Sequence, residues 1–129
     1  HLKDPFGMIK EVHMLLRKNG KLYVETDNLG EILMHFDIQE FNQFFYRTAH
    51  YWYFNEKSLK KLFRNSGFTK INSGFRHGYG LSNTLLWLKN RKPSKSRKIV
   101  FIDPFFDKLW RSSLEKHGLA ELLHFKVKK

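Results

Sequence analysis

The chain has 129 residues, no cysteine and a formal net charge of +12 at pH 7, from 24 Lys and Arg against 12 Asp and Glu. Disulfides, thiolate metal sites and cysteine nucleophiles are excluded, and a reducing cytoplasmic setting is compatible with that composition. The length suits one domain, the 41% hydrophobic and 16% aromatic content can build its core, and no apolar run approaches the roughly 18 residues of a membrane span.

From the N-terminus, Asp4-Pro5 predicts a helix start. Asp caps free N–H groups, and Pro fits the first helical position, where its missing N–H has no partner to lose. Met8, Ile9, Val12, Leu15 and Leu16 share one face at helical spacing. Asn19-Gly20 ends the helix, with Gly in the left-handed cap, and Leu22 to Val24 follow as a short strand. Helix, tight turn and strand make half of an α/β unit. Asp27-Asn28-Leu29-Gly30 is then a loop at the strand's carboxyl end, where open α/β sheets hold their ligands.

Residues 31–54 are unusually aromatic, with Phe36, Phe41, Phe44 and Phe45 on short helical turns before "HYWYF" breaks the pattern. Asn55 caps a helix over 56–66 that turns Leu59, Leu62 and Phe63 inward and Lys57, Lys60, Lys61 and Arg64 outward. Gly67 closes it, and Phe68 to Phe75 reads as a strand. "GFRHGYG" is a glycine-rich turn. "LSNTLLWLKN" lacks period-2 alternation and predicts a Ser82-capped helix over the alternative strand. "NRKPSKSRK", with its basic run Arg91 to Lys98, is a polar linker. Asp103-Pro104 repeats the helix-start chemistry, Gly118 ends that helix, and "LAELLHFKVKK" alternates toward a last strand.

The opening stretch resembles the middle of a class I S-adenosylmethionine-dependent methyltransferase. In that family a strand ends near Glu-His, a loop carries Asp-Pro, a helix carries Leu-Leu-Lys-x-Gly-Gly, and the fifth strand ends in Pro-Asn. The matching residues are His1-Leu2, Asp4-Pro5, Leu15 through Gly20, Leu22 to Val24, and Asp27-Asn28. Asn19 stands where Gly is common, and Asp27 where Pro is common. His50, Trp52, Phe54, Ser58, Leu59, Leu62, Gly67 and Phe68 resemble the family segment that leads into the sixth strand. The resemblance spans about residues 1–75.

The resemblance implies an α/β fold: the C-terminal portion of a Rossmann-like methyltransferase sheet with added helices. It divides one partial domain, 1–129, into helix and strand (1–30), an aromatic acceptor-side insertion (31–54), helix and strand (55–75), and loop, linker, helix and last strand (76–129). The family's first four strands, with the glycine-rich cofactor loop and the ribose-binding acid, are expected before His1. S-adenosylmethionine is then the implied cofactor of the intact protein. This chain alone is expected to be inactive, poorly soluble or self-associating.

The resemblance places His1 near cofactor and acceptor; in ubiquinone-type O-methyltransferases the matching region is linked to metal binding or acid–base chemistry. No metal site is expected from the residues themselves. His50 in the aromatic segment is the second candidate base. Asn28, Tyr51 and Trp52 are candidate acceptor contacts, and Arg76, His77 and Tyr79 are placed to grip an anionic acceptor. Plainer readings stand beside each: an Asx turn at Asn28, core packing for the aromatics, a solvated loop at 76–79. The acceptor expected is a small molecule, sugar or lipid intermediate. The alternative is a non-catalytic basic module, with Lys57, Lys60, Lys61, Arg64 and the linker contacting nucleic acid or an anionic surface.

Overall fold

Asp4 accepts a hydrogen bond from the Gly7 N–H, and Pro5 opens helix α1, Pro5–Leu15, as its chemistry requires. The fold that follows is a computed structural model describing residues 1–93 and 99–129. Strand β1 is Lys21–Asp27, longer at both ends than the apolar core of the stretch indicates. A 3-10 turn covers Ile32–Phe36, and the short helix α2 covers Gln39–Phe45. Then come α3, Glu56–Asn65, β2, Lys70–Arg76, α4, Leu81–Asn90, α5, Pro104–His117, and β3, Leu122–Lys128. Residues 94–98 of the basic linker lie outside the described residues.

The three strands lie in the order β1-β3-β2, with β3 antiparallel to both neighbours. The two flanking strands therefore run parallel to each other. Alternation puts Leu123, Phe125 and Val127 on one face of β3, where they are fully buried. Ile9 of α1 and Leu59 and Phe63 of α3 cover that face, together with Phe68. Burying each such side chain contributes about 1.5–3 kcal/mol. A second cluster, Leu33, Ile38, Phe41, Phe45 and Trp87, joins the aromatic insertion to α4.

Local chemistry differs from the sequence expectation at four places. Asn19, not Gly20, takes the left-handed conformation after α1, at φ 67°. Asn tolerates that region, which accounts for its standing where the family pattern has Gly. Leu15 is 86% exposed rather than inward, because the chain leaves helical geometry at Leu16. Phe68 precedes β2 and packs into the core, where its ring meets those of Phe63 and His13 edge-on. The N-cap of α4 is Gly80, not Ser82, and Asp107 of α5 accepts the Ser82 N–H. A Cβ on Gly80 would fall 2.1 Å from that carboxylate, so only glycine lets the cap come from another helix.

Candidate functional site

Because β1 and β2 are parallel, their carboxyl ends and the start of β3 meet at one edge. Asp27 and Arg76 both register with Leu122. Loops 27–31, 77–80 and 118–121 gather there, the position at which open α/β sheets place ligands. Asn28 fastens the first loop to the third. Its Nδ2 donates to the carbonyls of Gly118 (3.0 Å) and Ala120 (2.8 Å), and its Oδ1 accepts the Gly30 N–H (2.9 Å). The side chain is 2% exposed. Of the two readings of Asn28, acceptor contact or Asx turn, the geometry favours the second: the amide is committed to the turn and to two carbonyls.

Against this edge lies a cavity of about 430 Å³. One wall is aromatic: Phe41 and Phe44 from α2 and Trp87 from α4, with Phe41 edge-on to Trp87 at 5.0 Å and Phe44 at 5.3 Å. The Arg47 guanidinium rests 5.0 Å from the Phe44 ring centre. The other wall is polar, formed by Asp27, Glu31, Glu121, His77 and Tyr79.

Glu31 is buried at 6% exposure and caps the 3-10 turn, accepting the Leu33 N–H at 3.2 Å. Burial raises its pKa to about 8; that hydrogen bond opposes the rise, and the nearby carboxylates of Glu121 and Asp27 reinforce it. His77 is also 6% exposed. Its backbone N–H donates to Glu115 Oε1 at 2.9 Å, and its Nδ1 accepts the Glu121 N–H at 3.1 Å. Burial holds its pKa down to about 4, against the attraction of Glu115 and with Arg111 adding to the depression. The ring is therefore neutral at pH 7 with its proton on Nε2, and that buried atom has no hydrogen-bond partner among the described residues. Tyr79 meets the His77 ring edge-on at 6.2 Å.

A smaller cavity of about 80 Å³ adjoins the first across Asp27, lined also by His1, Thr26, His50, Trp52 and Tyr53. His50 Nδ1 stands 3.7 Å from Asp27 Oδ2, and the His1 and His50 rings meet edge-on at 4.8 Å. The two candidate bases, 49 positions apart in sequence, thus share one cavity with a carboxylate. Trp52 closes its side and donates through Nε1 to the Lys3 carbonyl at 3.2 Å.

Two other sequence candidates stand apart. Tyr51 is 60% exposed and lines neither cavity. Arg76 forms a two-pronged ion pair with Glu25 on the exposed polar face of the sheet, at 2.7 and 3.0 Å. That bond holds the Glu25 carboxyl below its ordinary pKa. With Arg76 engaged there and His77 neutral, residues 76–79 do not assemble a cationic grip. On α3, Lys60 is tied to Glu56, which also accepts the Ser73 hydroxyl, so the basic face is partly neutralised. Sequence reasoning passes over Glu31, Glu121 and Trp87. Only Asp27 carries a signal, as the acid standing where the family pattern has Pro.

Among the described residues no group of three or more His, Asp or Glu converges to hold a metal ion. No helix of the described residues is long and apolar enough to cross a membrane. The glycine-rich stretch offers no nucleotide cradle. A Cβ on Gly74 would meet the His124 ring, one on Gly78 the Glu121 carboxylate, and one on Gly80 the Asp107 carboxylate. Its glycines make room for the chain's own side chains, two of them anionic, which does not suit a nucleoside or amino-acid carboxylate.

Residues 1–73 match a family model described as a methyltransferase domain. The sequence matches no curated protein. Two solved structures share the fold. One is a SAM-dependent methyltransferase from Archaeoglobus fulgidus, at 13% identity and TM-score 0.57, covering 100% of this chain and 53% of that one. The other, from Thermotoga maritima, is a SAM-dependent methyltransferase described as a possible histamine N-methyltransferase, at 19% identity and TM-score 0.59. It covers 99% of this chain, which spans 50% of its length. The chain thus spans about half the length of the solved structures it matches.

Proposed function

The chain belongs to the methyltransferase-domain family, and from that premise we propose that it forms the acceptor-binding side of an S-adenosylmethionine-dependent methyltransferase. The donor, when bound, supplies an electrophilic methyl group on a sulfonium. The described residues offer that donor no cradle, so this chain's share of the work lies with the acceptor, and the chain by itself is inactive. In this reading the partial domain divides into four segments: core helix and strand at 1–30, acceptor-side insertion at 31–54, helix and strand at 55–75, and the closing elements at 76–129.

One observation carries the assignment of roles: His50 faces Asp27 at the carboxyl end of β1, beside the larger cavity. A carboxylate at 3.7 Å orients an imidazole for proton transfer. In this reading His50 takes the proton that the acceptor atom sheds, Asp27 holds the resulting imidazolium, and His1 walls the same cavity. Trp52 excludes water from that cavity, and Tyr79 with the Phe41–Phe44–Trp87 wall seats the acceptor's apolar body. The acceptor is a small molecule.

The test is kinetic. In the complete protein, His50→Gln should lower kcat by about 100-fold or more with little change in acceptor KM. Asp27→Asn should lower kcat less. Undiminished kcat in His50→Gln would sink the base assignment. Failure of the complete protein to bind S-adenosylmethionine would sink the methyltransferase reading itself.

A further inference from the structure

The face of the sheet turned away from the core is open. Its side chains stand in cross-strand rows, because residues directly opposite in an antiparallel ladder point the same way. One row is Lys21, Lys128 and Lys70, three lysines abreast in register. The next is Tyr23, Lys126 and Asn72, and the third is Glu25, His124 and Gly74. All three strands lie within the described residues, and Lys21, Tyr23, Lys70, Asn72, His124 and Lys126 are exposed. These rows hold one carboxylate, Glu25, and Arg76 already engages both of its oxygens. Among the described residues no carboxylate pairs with any of the four lysines. Like charges directly opposite each other destabilise a ladder, a cost that a bound anion offsets. An apolar layer laid over the face would instead desolvate four ammonium groups.

Charge alone would leave the ligand at any anion, and two rings narrow it. Tyr23 is 66% exposed, with Lys126 Nζ over its ring, 5.5 Å from the centre. His124 lies across bare backbone at Gly74, its ring in the space where any other residue would carry a Cβ. Tyr23 and His124 are diagonal neighbours across β1 and β3, roughly 7–8 Å apart. With Glu25, Asn72 and Lys126 they line an open depression of about 620 Å³.

We infer that this sheet face binds single-stranded nucleic acid. One base stacks on Tyr23 and the next on His124, Asn72 meets a base edge with its amide, and phosphates pass to Lys126 and to the row of Lys21, Lys128 and Lys70. A base that stacks on Tyr23 turns the flexible Lys126 ammonium toward its own phosphate. Exposed rings beside cations suit unpaired bases, whose flat faces are free. A duplex keeps those faces stacked inside and offers this platform its phosphates alone. An anionic bilayer brings no planar group to the rings. The inference is independent of the acceptor-side reading. The lysine row lies at the ends of β1 and β2 away from the carboxyl edge, and binding needs no methyl donor.

The experiment titrates the complete protein, without methyl donor, into a fluorescently labelled oligouridine of about ten nucleotides. The same strand annealed to oligoadenine, and phosphatidylserine vesicles, are the comparison ligands. Anisotropy reads the nucleic acids and co-sedimentation reads the vesicles. The single strand should bind roughly tenfold or more tightly than the duplex. Its log affinity should fall against log salt with a slope of about −2 to −3, as three to four neutralised phosphates require. Tyr23→Ala should weaken binding roughly tenfold, and Tyr23→Phe should keep it. Lys70→Gln should lower the slope by about 0.7. The double variant Lys57→Gln/Lys61→Gln, on the exposed face of α3, should leave affinity unchanged. Equal affinity for the duplex, an unaltered affinity in Tyr23→Ala, or a loss that follows Lys57 and Lys61 would each overturn the inference. So would binding to the vesicles without binding to the strand, or no binding at all.

Discussion

Replacing Asn28 separates a structural amide from a substrate contact. Three hydrogen bonds end on this side chain, to the carbonyls of Gly118 and Ala120 and from the Gly30 N–H. In Asn28→Ala the buried Ala120 carbonyl loses its partner at about 1–3 kcal/mol, and the two part-buried groups lose roughly 1 kcal/mol each. The sum, about 3–5 kcal/mol, is a large share of the stability of a small domain. Asn28→Asp keeps the shape but aims a carboxylate at two carbonyl oxygens. The folded-state pKa of the new carboxyl is raised by burial and by those dipoles, while in the unfolded chain it titrates at about 3.9. Between those values the native state holds the extra proton, so stability falls as pH rises, by up to about 1.4 kcal/mol per unit. Below that window the protonated carboxyl can still donate one bond. Urea unfolding followed by circular dichroism at about pH 4, 5.5 and 7 reads the parent and both variants across that window. A loss for Asn28→Ala below about 0.5 kcal/mol, or for Asn28→Asp one independent of pH, would refute the reasoning. A raised acceptor KM with unchanged stability would return Asn28 to the list of ligand contacts.

Two further outcomes follow from the same edge. The folded pKa of Glu31, about 8, lies above its unfolded value of about 4.3, so its contribution favours folding at low pH and is lost as pH rises through about 8. His77, folded pKa about 4, works in the opposite sense: its contribution is present above the unfolded pKa of about 6.5 and is lost as pH falls toward 4. The two slopes oppose each other between about pH 4.5 and 6.5. Glu31→Gln should therefore lose the decline toward pH 8 and keep the acid-side fall; a urea midpoint that still declines above about pH 6.5 would contradict the assignment. Arg76→Ala should leave acceptor KM unchanged in the complete protein, since its guanidinium serves Glu25 on the exposed face of the sheet; a raised KM would bring Arg76 back to the site.

Short-range chemistry is the legible part. Asp4-Pro5 and Asp103-Pro104 start their helices, Asn55 and Ser58 cap each other reciprocally, and Gly118 takes the left-handed position at φ 74°. The alternation in the last stretch is β3, and "LSNTLLWLKN", open to two readings, is α4. What escapes is made by distant parts of the chain. Glu31 is desolvated inside a loop cluster closed by residues 118–121, and the tautomer of His77 is set by the Glu121 N–H, 44 positions on. The cap of α4 comes from Asp107. No window of local sequence carries those pairings. Motif position singles out His1 and His50 one at a time. Their meeting beside Asp27 needs β1 and the 46–54 segment folded against each other, as the Asn28–Phe54 bridge does.

The strand order has a consequence for the moment of synthesis. Among the described residues β1 and β2 make no ladder with each other; each is zipped to β3, the last of these elements to be translated. A ribosome adds roughly 5–20 residues per second. Throughout the seconds between Asp27 and Leu122, β1 waits for this partner, its aromatic neighbours already extruded. The covered face of the sheet has no middle until Phe125 and Val127 arrive. A stop codon before Leu122 would therefore remove the strand that ties β1 to β2, and with it the edge on which Asp27, Glu31, His77 and Glu121 converge. The growing chain is left with a long interval in which no hydrogen bond of β3 yet holds β1 and β2 in register.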